Sequence, residues 1–172
     1  MTAMKNDFLK TTFVNAAAVA VGRGLPKKTL LRVYCDCGDV LFGDQYKEGV
    51  NVPLFNFLAA MKKDGHHVRL ISETPSVYEE KVRALLEMKP YKKAGLKPGL
   101  FEDSHGQSVR DRSLLEGRPV LVLVDNDDAY LHGINAMVTI HPDNTDFIES
   151  LKPYEKPGRS LPDFLKRKNF LG

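Results

Sequence analysis

The sequence predicts an α/β protein built on a mostly parallel, five-stranded sheet with helices on both faces. Short apolar segments alternate along the chain with segments of helical periodicity, and this alternation is typical of parallel sheets joined by right-handed crossovers. The chain has 172 residues, which corresponds to one domain at roughly 100–200 residues per domain. A single sheet with one hydrophobic core is therefore expected.

Five short apolar segments are the predicted strands. They cover residues 30–35, 68–71, 100–101, 119–124 and 136–140. Helices with apolar positions at a spacing of about 3.6 residues are predicted after or between them. These helices begin at Pro53, Pro75, Val109 and at Asn144 or Thr145, and they end before Gly65, near residue 86, at Leu115 and at Leu151.

Three parts are predicted along the chain. Residues 1–29 form an N-terminal helical extension, 30–151 the α/β domain, and 152–172 a proline-containing tail with a basic cluster. The apolar run 13–21 loosely resembles a secretory signal, but a helix ended by glycine is the favoured interpretation. Either end is a candidate contact for a protein partner, although a charged run is more often solvated.

Composition excludes several classes of protein. Apolar residues make up 42% of the chain and charged residues 27%, as in globular and not in disordered proteins. The net charge of +3 does not by itself indicate nucleic-acid binding. With Cys35 and Cys37 as its two cysteines, the chain has no disulfide framework. No segment approaches the roughly 18 consecutive apolar residues of a membrane span, so a cytoplasmic protein without membrane contact is expected.

Acidic and hydroxyl side chains follow three of the predicted strands: Asp36 the first, Ser72 the second and Asp125 the fourth. The carboxyl ends of parallel strands form the edge at which α/β sheets bind ligands. Crowded carboxylates resist ionising, and Mg²⁺, which takes oxygen ligands, relieves their repulsion. The pattern predicts a magnesium site at which an aspartate attacks a phosphate.

A structural interpretation competes for each residue. Aspartates after strands often cap helices or turns, and for one aspartate alone this interpretation is favoured. Two aspartates at the ends of adjacent strands favour the site instead. Ser72 precedes a helix and could be its N-cap, a role compatible with a phosphate contact because helix N-termini attract anions.

The order of these motifs resembles the haloacid dehalogenase (HAD) superfamily, mostly magnesium-dependent phosphatases with a Rossmann-like sheet. The resemblance covers about residues 30–151. Its second half is similar to the carboxy-terminal-domain phosphatases. The matching segments are Arg110-Asp111-Arg112-Ser113-Leu114-Leu115 and Leu123-Val124-Asp125-Asn126-Asp127-Asp128.

The resemblance implies a magnesium site and a nucleophile. Asp36 would be the nucleophile and a metal ligand, and Asp125 the main acidic ligand. Asn126 or Asp128 would complete the metal shell, together with the backbone carbonyl of Gly38.

The resemblance also implies two phosphate contacts. Ser72 would hydrogen-bond the phosphoryl group. Arg110 would balance the phosphate charge at a position where the family usually has lysine, with Lys97 and then Arg112 as the alternatives.

The first motif departs from the family pattern. The family has a second aspartate, its general acid and base, two residues after the nucleophile, where this chain has Gly38. A glycine cannot transfer a proton, so Asp39 is the candidate for that role if the loop turns differently. The register that starts at Cys35 would remove both carboxylates and is less favoured.

No segment leaves room for a cap domain, because about ten residues separate Phe42 from Pro53 and no folded module fits between Ser72 and Arg110. An uncapped site implies a macromolecular or exposed phosphoester, such as a phosphorylated protein or a nucleic-acid end. The expected function is a Mg²⁺-dependent phosphohydrolase. The alternatives are an inactive HAD-like adaptor and, less favoured, a response-regulator-like domain phosphorylated on Asp125.

Overall fold

A computed structural model of the chain describes residues 32–115, 120–124, 136–143 and 145–161. Within these ranges the protein has an α/β fold with a parallel sheet, which confirms the α/β class and the parallel strand pairing. The predicted N-terminal helix and the residues Asp125, Asn126 and Asp128 lie outside the described ranges.

The strands pair in parallel in the order β3-β2-β1-β4-β5. They are β1 (Arg32–Asp36), β2 (His67–Ser72), β3 (Val109–Asp111), β4 (Val120–Val124) and β5 (Ala136–Ile140). Strand β1 is central, between β2 and β4. The chain therefore changes direction across the sheet at β1, the kind of point at which open α/β sheets bind ligands.

Two of the described helices begin at, or one residue before, the prolines that were predicted to start them. The described helices are α1 (Val52–Lys63), α2 (Pro75–Glu87), α3 (Lys89–Lys93) and α4 (Thr145–Ser150), with 3-10 helices at Arg112–Leu115 and Lys152–Tyr154. A proline lies in the first turn of α1, α2 and α3, where its fixed φ suits a helix and its missing N–H costs nothing. The α1 start is also capped by Asn51, whose side chain accepts a hydrogen bond from the backbone of Leu54.

The third strand lies at Val109–Asp111 and not at residues 100–101. The helix predicted over 109–115 is therefore wrong, since that segment is a strand followed by one 3-10 turn. The carboxylate of Glu79 accepts hydrogen bonds from the backbone N–H groups of Ser108 and Val109, and this contact from α2 holds the extended start of β3. Phe101 is instead a core side chain, 2% exposed.

The core extends beyond the predicted domain boundary at residue 151. Tyr154 and Leu161 are buried, and the side chain of Asn56 in α1 donates a 2.7 Å hydrogen bond to the carbonyl of Tyr154. The ring of Tyr154 also packs edge-on against Phe57. Tyr154 thus packs against α1.

Two further expectations concern an inserted domain and a membrane-spanning helix. The continuous range 32–115 contains no inserted domain, because only turns join β1 to α1, and one short helix with turns joins α2 to β3. Across the described ranges, no helix is long and apolar enough to cross a membrane.

Candidate functional site

Asp36 is the last residue of the central strand and lies at the ligand-binding edge of the sheet. It pairs in register with Ile71 of β2, and the chain continues alongside β2, because the N–H of Cys37 donates to the carbonyl of Ile71 at 3.0 Å. Asp36 is 6% exposed. A carboxylate this far from water requires charged or hydrogen-bonding neighbours to remain ionised.

Arg112 is the cation next to Asp36. Its Nη2 lies 3.3 Å from Oδ2 of Asp36, and its Nη1 donates to Oε1 of Glu73 at 3.1 Å. Arg112 is 8% exposed and begins the 3-10 helix directly after β3. The end of this edge strand thus places a buried guanidinium against the carboxylate at the end of the central strand.

Arg110, the favoured phosphate-balancing cation, has other partners. Its guanidinium is ion-paired with Asp103 and donates to Oε1 of Gln107 at 2.7 Å. Lys97, the first alternative, is exposed in the turn that follows α3. Residues 109–111 thus form a strand that directs Arg110 to Asp103, while the following turn brings Arg112 to Asp36.

Ser72 ends β2 and pairs in register with Asp111. It is 4% exposed, and its Oγ accepts a 3.0 Å hydrogen bond from the N–H of Thr74, the N-cap residue of α2. Ser72 is therefore not the N-cap that its structural interpretation predicts, but it binds the backbone of the N-cap residue in the turn before the helix. It is also the neighbour in β2 of Ile71, the partner of Asp36, so the hydroxyl and the carboxylate share one edge of the sheet.

A tight turn follows Asp36. The carbonyl of Cys37 accepts hydrogen bonds from Leu41 and Phe42, and the N–H of Asp39 donates to Phe42 at 2.7 Å. Gly38 and Phe42 form an isolated bridge. Its hydrogen bonds join Phe42 to the carbonyl of Cys37 and to the N–H of Asp39, so they do not use the carbonyl of Gly38. That carbonyl is thus not an acceptor in the bonds that close the turn.

Asp39 has a left-handed backbone, with φ 59°, a conformation that glycine adopts more easily than other residues. Its carbonyl accepts hydrogen bonds from the side chains of Gln45 and Tyr46. The side chain of Asp39 is exposed. The exchanged order of glycine and aspartate thus puts the aspartate at the strained position of the turn.

The two cysteines flank Asp36 as buried thiols that form no disulfide. Burial raises the pKa of Cys37 well above its usual value, and the charges of Asp36 and Glu79 raise it further. A neutral thiol is a weak nucleophile, so Cys37 is a packing residue beneath the turn.

Tyr78, near the start of α2, contacts the turn that follows Asp36. Its ring stacks on Phe42 with centroids 5.7 Å apart, and a Cβ built on Gly38 would lie 3.0 Å from its hydroxyl oxygen. The apolar spacing of the helix does not predict the contact between Tyr78 and Gly38, because it does not indicate which residue the hydroxyl group of a tyrosine contacts.

The residues described at this edge are compatible with magnesium. The carboxylate of Asp36 and the carbonyl of Gly38 are hard oxygen donors two residues apart, the type of ligand that Mg²⁺ takes. Asp125 and Asn126, the other predicted ligands, lie outside the described ranges; β4 is described as far as Val124, which pairs with Cys35. Within those ranges, no group of three or more His, Cys, Asp or Glu side chains is placed to hold a metal.

Comparisons with protein-family models, with curated proteins and with solved structures found no match to this chain. The functional argument therefore comes from the residues and their geometry.

Proposed function

We propose that the chain is a capless, HAD-type Mg²⁺-dependent phosphohydrolase that uses Asp36 as its nucleophile. The observation that supports this most directly is the buried Asp36 carboxylate at the end of the central strand, 3.3 Å from Arg112. A carboxylate held ionised by a guanidinium is a nucleophile with a phosphate-binding cation beside it.

The chain's own residues account for most of the chemistry. An oxygen of Asp36 attacks phosphorus, the ester P–O bond breaks, and water then hydrolyses the aspartyl phosphate to release phosphate. Arg112 balances the charge on the phosphoryl oxygens, and the hydroxyl of Ser72 donates a hydrogen bond to one of them. When bound by Asp36, Gly38, Asp125 and Asn126, Mg²⁺ supplies the positive charge that lets an anionic phosphate approach a carboxylate.

The lack of an inserted domain within residues 32–115 favours a large substrate. No cap from that range separates Asp36 from the phosphoester of a protein or of a nucleic-acid end. A protein partner could bind through the N-terminal extension or the tail beyond residue 161. The site works in the cytoplasm, where Mg²⁺ and such substrates are available.

The test is phosphate release with Mg²⁺ from 4-nitrophenyl phosphate, phosphopeptides and end-phosphorylated oligonucleotides. Asp36→Asn should abolish release, because an amide is not a nucleophile, and chelation of Mg²⁺ should do the same. Asp64→Asn is the matched control, since Asp64 caps the end of α1, away from the proposed site. Activity that survives in Asp36→Asn, or a folded wild-type chain inactive on all three substrate classes, would contradict the proposal.

A second candidate is a catalytically inactive HAD-like adaptor, favoured by the absence of a carboxyl side chain at Gly38. In that case the chain binds orthovanadate or inorganic phosphate with Mg²⁺ in calorimetry but releases no phosphate from any ester. The double variant Gly38→Asp, Tyr78→Phe should then gain hydrolysis, because it adds a carboxyl group and removes the hydroxyl that a side chain at position 38 would meet. Robust turnover by the wild-type chain would exclude this candidate.

A further inference from the structure

The hydroxyl of Tyr78 lies where a side chain at position 38 would begin. A Cβ on Gly38 would be 3.0 Å from the hydroxyl oxygen of Tyr78 and 3.9 Å from Cζ. Gly38 is two residues after Asp36, on the turn that leaves the central strand. The phenol therefore approaches the backbone of this turn at its one position without a side chain.

Tyr78 is held in this place by groups that belong to the same turn. Its ring stacks on Phe42 at an interplanar angle of 26°. The backbone of Phe42 forms hydrogen bonds with the backbones of Cys37 and Asp39. The Nζ of Lys81 lies over both rings, 5.5 Å from the centroid of Tyr78 and 6.0 Å from that of Phe42. The hydroxyl is thus positioned by the protein before any substrate binds.

The hydroxyl of Tyr78 can donate a hydrogen bond at neutral pH, because a phenol keeps its proton there.

A cleft next to Tyr78 has room for a substrate group. It has a volume of about 270 Å³, and Asp39, Phe42, Tyr78 and Lys81 are among its lining residues. Tyr78 is therefore shared between the turn after Asp36 and the cleft.

We propose that Tyr78 donates a hydrogen bond from its Oη to the leaving-group oxygen of the phosphoester, in place of the carboxyl group that position 38 lacks. This rests on the proposed phosphohydrolase function. As the Asp36 O–P bond forms, the ester P–O bond breaks and its electron pair stays on the leaving oxygen, where Tyr78 stabilises the charge. The leaving oxygen takes a proton from a cleft water, and the hydroxide that remains attacks phosphorus and releases phosphate from Asp36. Tyr78 keeps its own proton throughout.

The effect of the Tyr78 hydroxyl on the rate of hydrolysis should therefore depend on the leaving group. A nitrophenolate leaves without help because its charge is delocalised, whereas the alkoxide of a serine ester develops full charge on one oxygen. The hydrogen bond from Tyr78 therefore matters most for alkyl phosphoesters.

The test compares a phosphoserine peptide with 4-nitrophenyl phosphate in the full chain with Mg²⁺. Tyr78→Phe keeps the ring on Phe42 and removes only the hydroxyl, and it should lower kcat/KM for the peptide about 100-fold or more while changing the aryl ester little. Tyr154→Phe is the matched control, since the hydroxyl of Tyr154 donates to Ser160 and does not contact the turn. Gly38→Ala is a second variant, because its Cβ would lie 3.0 Å from the phenol oxygen and shift it without removing it, and it should lower the ratio of peptide to aryl-ester hydrolysis.

Equal peptide hydrolysis by wild type and Tyr78→Phe would overturn the role of Tyr78, and so would an equal loss on both substrates. If melting curves show that Tyr78→Phe does not fold, Gly38→Ala decides, and an unchanged substrate ratio in it overturns the role. A wild-type chain that hydrolyses neither ester overturns the phosphohydrolase function itself, which is a distinct result.

Discussion

The guanidinium of Arg112 lies 3.3 Å from the carboxylate of Asp36 and is almost as buried as that carboxylate. This contact joins the edge strand β3 to the central strand β1 across β2. Glu73, at the exposed side of the pair, accepts a second hydrogen bond from the same guanidinium. Arg112 therefore links the ends of three neighbouring strands, and its charge stabilises the fold as well as the proposed phosphate site.

Arg112→Met should lower the free energy of unfolding by about 3–5 kcal/mol, because it leaves a buried carboxylate without its cation. The measurement is urea unfolding at neutral pH. Arg83→Met is the matched control, since Arg83 pairs with Glu102 but is half exposed, and such exposed pairs contribute little to stability. Equal losses in the two variants would contradict a special role for Arg112.

Arg112→Met should also reduce phosphate release strongly, whereas Arg110→Met should reduce it less. The reason is that Arg110 is engaged by Asp103 and Gln107 and not by Asp36. The measurement is kcat/KM on the substrates used for Asp36→Asn, with folding checked by melting. The reverse order of the two effects would restore Arg110 as the phosphate-balancing cation.

Periodicity predicted the helix starts and most strands because each depends on a local signal. Pro53 and Pro75 suit the first turn of a helix, and the structure places α1 and α2 there. Strand β3 has no such signal, since Val109–Asp111 is short and polar. Its extended form depends on the contact with Glu79, a residue 30 positions earlier in the chain.

The site residues were likewise predicted where a local signal exists and missed where they depend on contacts between distant parts of the chain. Asp36 and Ser72 were predicted together because parallel strands end at one edge of a sheet, and their register agrees with that. Arg110 was favoured over Arg112 because of its position in the motif that resembles the family, and a motif position does not show that Arg112 contacts Asp36 while Arg110 contacts Asp103. The contact of Tyr78 with Gly38 joins positions 40 apart in the sequence, and no motif records it.

Asp39→Gly should raise the stability of the fold by up to about 1 kcal/mol, because glycine adopts a left-handed backbone without strain. Asp39→Ala should lower it, since alanine at φ 59° has the same backbone cost and no polar side chain. The measurement is the melting temperature of both variants against wild type. Equal shifts of one sign would show that the side chain, and not the backbone, dominates at this position.

Glu79→Gln should lower the free energy of unfolding by about 2–3 kcal/mol, because hydrogen bonds to a charged acceptor are the stronger class. The carboxylate accepts from the N–H and Oγ of Ser108 and from the N–H of Val109, and an amide presents its NH₂ group to one of these donors. The measurement is urea unfolding, together with faster hydrogen exchange at the Val109 amide. Glu80→Gln, at the exposed neighbouring position, is the control, and an equal loss there would contradict the prediction.

Stability should fall as the pH rises above about 10, because burial raises the pKa of both Tyr91 and Tyr154 from 10.0 to about 12. The folded protein then binds these protons more tightly than the unfolded chain does, so their contribution is complete below the unfolded pKa. It is lost as the pH rises through the folded pKa, and alkaline unfolding should begin in that window. Tyr91→Phe and Tyr154→Phe remove the titrating hydroxyls and should each flatten the decline of the unfolding free energy, measured by urea titration from neutral pH to about pH 12. A decline as steep in the double variant as in the wild type would mean that other groups control the alkaline limit.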